Sequence, residues 1–228
     1  MKALVAFIVS ACVFALPLEA VLPGAFTNKT VMKPGSAFQT ASDSFAYTNT
    51  SLLGSQPNWT NIVGTIIVYN NGTASGCSGN AAGDNVCLYN QLTWASNQYC
   101  QYYYVNVNGT SAVAGGPGVR LTLTGGGTGY YLTCLSGTIY VNMISGGSTS
   151  NLTNFAQAVS VGTGVRLSVV GSGSSTRLTV SIDSGSGFVA VFSNYDPGTY
   201  FSSGSPGLCG SGSGGNQADM SLWFASEQ

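Results

Sequence analysis

The chain has 228 residues, of which only 6% are charged, six basic against seven acidic, with no histidine and 32 glycines. Such a balance excludes an electrostatic nucleic-acid binder, which needs clustered Lys and Arg. A hydrophobic content of 44% excludes a disordered acidic tail, and near-neutral chains tend to associate unless something other than charge hydrates them.

Lys2, the apolar run 3–16 and "LEA" ending at Ala20 read as a secretory leader over residues 1–20. An uncleaved anchor is the alternative, although the run is short for a bilayer. With the leader removed, no membrane span is expected and the product is extracellular or on the cell surface. Residues 21–42 are polar and broken by Pro23 and Pro34, an N-terminal extension in which "AFTNKTVMK" is a candidate donor strand. The domain is placed at 43–228.

Within it, short β-type runs recur every 8 to 15 residues or so, as in sandwiches and barrels: "DSFAY", "TIIVYN", "VCLYNQLTW", "QYCQYYYVNV", "GVRLTLT", "GYYLTCL", "GTIYVNMI", "QAVSV", "GVRLSVV", "TRLTVSI", "GFVAVFS" and "DMSLWFA". Alternation of side chains across a strand sets Val119, Leu121 and Leu123 opposite Arg120, Thr122 and Thr124. It likewise sets Arg166 and Arg177 in polar stripes, on one face of a hairpin around "GSGSS". All three arginines are therefore expected on outer faces. The two "GVRL" segments share too little for an internal repeat.

Five cysteines follow the leader, and a secreted chain meets an oxidising compartment. Cys77 and Cys87, flanking a turn-rich stretch, are the expected local bridge, and Cys100 with Cys134 the expected second. Cys209, in a glycine-rich loop near the end of the chain, is left as a free or intermolecular thiol. Without histidine or CxxC spacing, metal ligation is not expected. Asn28, Asn49, Asn58, Asn71, Asn108 and Asn151 head N-x-S/T sequons, so covalent N-glycans are expected to supply surface hydration.

Several stretches resemble secreted concanavalin A-like jelly-roll domains of the lectin and glucanase type: "DSFAYTNTSLLGSQPNWT" then "GTIIVYNNGT", "TGYYLTCLSGTIYVNMISGGS", and "GSPGLCGSG" then "ADMSLW". The resemblance spans residues 43–223. It implies an all-β, antiparallel two-sheet jelly-roll sandwich with a polar sheet face and adjacent first and last strands, preceded here by the extended arm. The glucanases' Glu-x-Asp-x-Glu strand is absent. Asp43, Asp84, Asp183, Asp196, Asp219 and Glu227 are isolated in sequence, whereas glycoside hydrolysis needs two carboxylates across one bond. No enzyme and no cofactor are expected, and a structural calcium is disfavoured because so few oxygen ligands cluster.

Two functions follow. One is a secreted, N-glycosylated structural subunit of a filament, matrix or coat, a homo-oligomer or homopolymer joined by strand addition from the arm. The other is a lectin-like module binding polysaccharide, with Tyr102, Tyr104, Arg120 and Arg166 as candidate glycan-contacting residues. The structural role is the preferred expectation, because it needs no specific site.

Overall fold

The computed structural model describes residues 39–48, 51–70, 75–79, 83–105, 114–135, 137–211 and 219–228. The leader, residues 21–38 of the extension, and Asn28, Asn49, Asn71 and Asn108 lie outside them. The strands are β1 (Thr40–Asp43), β2 (Trp59–Val63), β3 (Ile66–Asn70), β4 (Ser75–Gly79), β5 (Asp84–Tyr89), β6 (Gln98–Val105), β7 (Gly116–Thr122), β8 (Thr128–Leu135), β9 (Thr138–Ser145), β10 (Ser148–Ala156), β11 (Gly164–Val170), β12 (Arg177–Asp183), β13 (Val189–Tyr195), β14 (Ser205–Ser211) and β15 (Asp219–Glu227). An eight-stranded sheet runs β13-β12-β11-β6-β15-β4-β3, with β1 also on β15, and a seven-stranded sheet runs β10-β9-β8-β7-β14-β5-β2. Thr40 to Ser42, assigned by sequence to the extension, belong to the domain: with Asp43 they form β1, whose pairing joins first strand to last.

The two-residue period lines the space between the sheets with apolar side chains, and on the other face of the seven-stranded sheet Val86, Leu88, Leu121, Tyr131, Ile144 and Cys209 form a second, smaller buried cluster. Val165, Leu167 and Val169 of β11 and Leu178, Val180 and Ile182 of β12 share one core with Tyr130, Leu132, Ile139 and Val141 of the other sheet. The resemblance motif acquires a physical meaning here. Trp59 Nε1–H of β2 donates to Asp43 Oδ2 of β1 at 2.7 Å, and the Phe45 and Trp59 rings pack 5.9 Å apart, so one carboxylate latches sheet to sheet.

Two sequence expectations fail for backbone reasons. The segment around "SPGLCGS" is not a loop but β14, between β7 and β5. Its strand neighbour comes so near that a Cβ on Gly207 would sit 2.1 Å from the Cys87 carbonyl oxygen, and only glycine fits. Meanwhile Arg120 is not on an outer face. The β7–β8 register shifts between Val119 and Thr122, and Arg120 takes φ +53° at that bulge, so the alternation rule no longer applies. Its side chain is fully buried. Nε donates to Ser96 O at 2.8 Å, Nη1 to Phe201 O at 2.6 Å and Thr176 Oγ1 at 3.3 Å, and Nη2 to Gly171 O.

The expected disulfides are also absent: Cys77, Cys87, Cys100, Cys134 and Cys209 are all buried thiols. Cys77 and Cys100 face the core from one sheet, Cys87 and Cys134 from the other. Cys77 and Cys87 thus stand on different sheets, as do Cys100 and Cys134, and no pair of the five is bonded. Cys87 Sγ donates to Asn61 Oδ1 at 2.7 Å and Cys100 Sγ to Gly207 O at 3.1 Å. Burial pushes the Cys100 and Cys134 thiols up to about 12. Cys209, on β14 beside Thr133, is no surface linker.

Arg120→Met strands several buried acceptors, and a loss of about 3 kcal/mol or more is expected in urea unfolding. Because no bridge constrains the fold, dithiothreitol is expected to leave the unfolding midpoint unchanged. A thiol-specific reagent should label these five cysteines only once the chain unfolds.

Candidate functional site

The outer face of the eight-stranded sheet combines aromatic rings with planar polar groups. Pairing registers place Ser181, Arg166, Gln101, Phe224 and Ser42 side by side in one cross-strand row over β12, β11, β6, β15 and β1. A flanking row carries Thr179, Ser168, Tyr99, Ser226 and Thr40. Next to Gln101 on the same side of β6 is Tyr103, which faces Gly164 across the strand pair. A Cβ on Gly164 would approach Tyr103 Cε1 to 2.7 Å and Phe188 Cζ to 3.1 Å, so glycine is what lets both rings settle onto the sheet.

The rings are fixed by their neighbours. Tyr103 and Phe188 meet edge to face at 6.0 Å, and Tyr99 packs on Phe224 at 5.9 Å. The Arg166 guanidinium lies 4.3 Å from the Tyr99 ring centroid and 4.1 Å from that of Phe188, a double cation–π contact. It also donates from Nε to Gln101 Oε1 at 2.9 Å. Tyr103 OH donates to Asp183 Oδ2 at 2.8 Å, while Asp183 Oδ1 accepts from the Gly185 and Gly187 amides. That loop carries Phe188. A cleft of about 260 Å³ opens beside this cluster, lined by Ser42, Asp43, Ser44, Gln101, Tyr103, Trp223 and Phe224.

Of the four residues the sequence pointed to, only Arg166 lies on this face. Tyr102 and Tyr104 are fully buried; Tyr102 OH donates to Tyr104 OH at 2.6 Å, and both hydroxyls reach Gly115 O. Arg120 is in the interior. The residues missed are Tyr99, Gln101, Tyr103, Phe188 and Phe224. Two described sequon asparagines differ in setting. Asn58 is half-buried ahead of Trp59. Exposed Asn151, on β10, donates through Nδ2, the atom a glycan would occupy, to Asn142 Oδ1 at 2.9 Å and Thr153 O at 3.0 Å. Asn151 and Asn142 continue a ladder across the seven-stranded sheet to Thr133, Tyr131 and Asp84. Those groups satisfy one another, and Tyr131 is fully buried. Among the described residues no cluster of three or more Cys, Asp or Glu is placed to hold a metal ion, and no helix is long and apolar enough to cross a membrane.

No family model and no curated protein matches the chain. Among solved structures it is similar to a protein of unknown function from Shewanella oneidensis MR-1, at 14% identity over 90% of this chain and 95% of that one, with a TM-score of 0.51. The chain has an all-β, antiparallel two-sheet jelly-roll sandwich fold. It is also similar to the carbohydrate binding module CBM66 from Bacillus subtilis, at 17% identity over 76% of this chain and 98% of that one, TM-score 0.49. The Ca2+-bound exoplasmic/lumenal domain of VIP36 is similar at 12% identity over 77% and 85%, TM-score 0.48. At these identities the likeness is one of fold, and function has to be argued from the site.

The two carboxylates bordering the face titrate in opposite directions. Burial raises Asp43 above the ordinary 3.8 despite its hydrogen bonds from Tyr47, Trp59 and the Phe45 amide. Asp183 is held below 3.8, first by the Gly185 amide and then by Tyr103. The folded chain thus holds a proton on Asp43 more tightly than the unfolded chain does. Its share of stability is present below 3.8 and lost as pH rises through the folded value. For Asp183 the share is present above 3.8 and lost as pH falls through the lowered value. Carboxyl-carbon NMR titration is expected to show Asp43 titrating above 3.8 and Asp183 below it.

Proposed function

We propose that the protein is a non-catalytic, extracellular carbohydrate-binding module that takes its ligand on the outer face of the eight-stranded sheet. One observation carries this reading: Tyr103 and Phe224 line the same cleft as the Gln101 amide, with Arg166 bonded to that amide's oxygen. A sugar has an apolar C–H face and a rim of hydroxyls, so it needs a ring to lie on and planar donors at the ring's edge. The leader-like N-terminus supports the extracellular setting, and the six sequons fit it.

Two observations bear on the competing roles. Asp84, Asp183, Asp196 and Glu227 each bond a separate set of donors, which supports reading them as structural rather than as an acid–base pair. Strand addition meets irregular backbone at three of the outermost strands, although β1 and β3 pair without a shift. β13 carries two register shifts, β10 and β2 one each, and β3 is bridged by Leu52. Such features blunt edges.

Tyr103→Ala and Phe224→Ala are each expected to weaken binding about tenfold or more, measured on a glycan array and then by calorimetry, with thermal melts confirming that both variants fold. Failure to bind any glycan, or binding indifferent to both substitutions, refutes the proposal.

A further inference from the structure

We infer that the glycan this face selects is acidic, carrying a carboxylate on the sugar; the inference rests on the carbohydrate-binding reading above. Arg166 is the reason. The rings of Tyr99 and Phe188, at 4.3 Å and 4.1 Å, clamp its guanidinium between them. Aromatic walls fix the orientation of a guanidinium without using up its N–H donors. Of those five donors, Nε and one on Nη2 both go to the single atom Gln101 Oε1. The ion pair found among the described residues is Arg177 with Asp196, and it leaves Arg166 aside. Of the two carboxylates bordering this face, Asp183 has its oxygens taken by Tyr103 OH and by the Gly185 and Gly187 amides, and Asp43 by Tyr47 OH, Trp59 Nε1–H and the Phe45 amide. Arg166 is therefore a pre-oriented cation whose remaining N–H groups form the planar fork that fits a carboxylate.

Gln101 completes the geometry. An arginine only donates, so the amide oxygen of Gln101 must point to Arg166, and its Nε2 group is the end available in the cleft lined with Tyr103 and Phe224. A sugar lying against those rings offers a hydroxyl to Gln101 Nε2 and a ring carboxylate to Arg166. A neutral sugar would leave a partly desolvated cation without a counter-charge, which is costly.

The test pairs each member of a panel of uronic-acid and sialic-acid oligosaccharides with its carboxyl-reduced counterpart, and includes neutral oligosaccharides. Affinities are measured for the unaltered protein, Arg166→Gln and Arg166→Lys, with melts confirming folding. At least one acidic member is expected to bind about tenfold or more tightly than its reduced form, with affinity falling as salt is added. Arg166→Gln should erase that preference, and Arg166→Lys, which keeps the charge but loses the fork, should retain part of it. Equal binding of acidic and reduced forms, a preference that survives Arg166→Gln, or binding of neutral glycans alone overturns this inference and leaves the carbohydrate reading standing. Absence of binding to every glycan overturns both.

Discussion

A buried cation without a counter-ion holds one end of the sandwich together. Arg120 is satisfied by dipoles: carbonyls of Ser96, Gly171 and Phe201 and the hydroxyl of Thr176. Those acceptors come from the segment before β6, the turn of the β11–β12 hairpin and the segment before β14. A guanidinium with five donors can gather three separate pieces of chain in this way, and lysine with a point charge cannot. The bulge in β7 is what brings the side chain inside, so a backbone irregularity and a charged residue depend on each other.

The same anchor sets the outer face. Gly171 and Thr176 flank the hairpin turn, and the Gly171 amide is also held by Asn97 Oδ1 at 2.9 Å. Fixing that turn fixes β11 against β6. The register then pairs Arg166 with Gln101 and Gly164 with Tyr103. A slip of one residue would turn Arg166 into the core and expose Leu167. The interior arginine thus determines where the exterior one sits, and the loop from Asp183 to Phe188 closes the clamp around it. The face owes its rigidity to packing and register, since the whole chain has only six basic and seven acidic residues.

Period-two patterning made the architecture legible, together with the outward positions of Arg166 and Arg177 and the hairpin between them. The Asp-x-Phe and Asn-Trp motif also survived, as the Asp43–Trp59 latch. What escaped was whatever depends on a partner strand. "QYCQYYYVNV" alternates cleanly, yet alternation alone does not say which set faces in. The answer lies in the pairing of Tyr102 with Val165 and Cys100 with Leu167, two apolar positions on a strand 65 residues or so away. β14 and β10 were missed for opposite reasons. One is a glycine-rich strand whose neighbours leave no room for side chains, and the other is a polar edge strand, "STSNLTNFA", with little apolar signal. The cysteine spacing was suggestive only while the chain was imagined flat; turn length does not reveal that Cys77 and Cys87 belong to different sheets.

A charge-poor chain with many strands ought to aggregate through its edges, and proteins commonly prevent this with edge lysines. This one uses backbone irregularity. β13, the outermost strand of the eight-stranded sheet, has Val189 and Val191 exposed and would be a hazard if straight. Its two register shifts and the positive φ of Asn194 twist it out of pairing geometry. At the same end of the sandwich, Phe155 of bulged β10 stacks on Phe192 at 4.8 Å, and Tyr195 OH donates to Leu152 O. The two free edges are therefore tied to each other through side chains, while their backbones remain out of register for any incoming strand. With these two edges protected sterically, this end of the sandwich needs no dense charge against strand pairing. A lone guanidinium can then stand on an aromatic surface, paired with no carboxylate, because Asp183 beside it is held by Tyr103 and by its own loop amides.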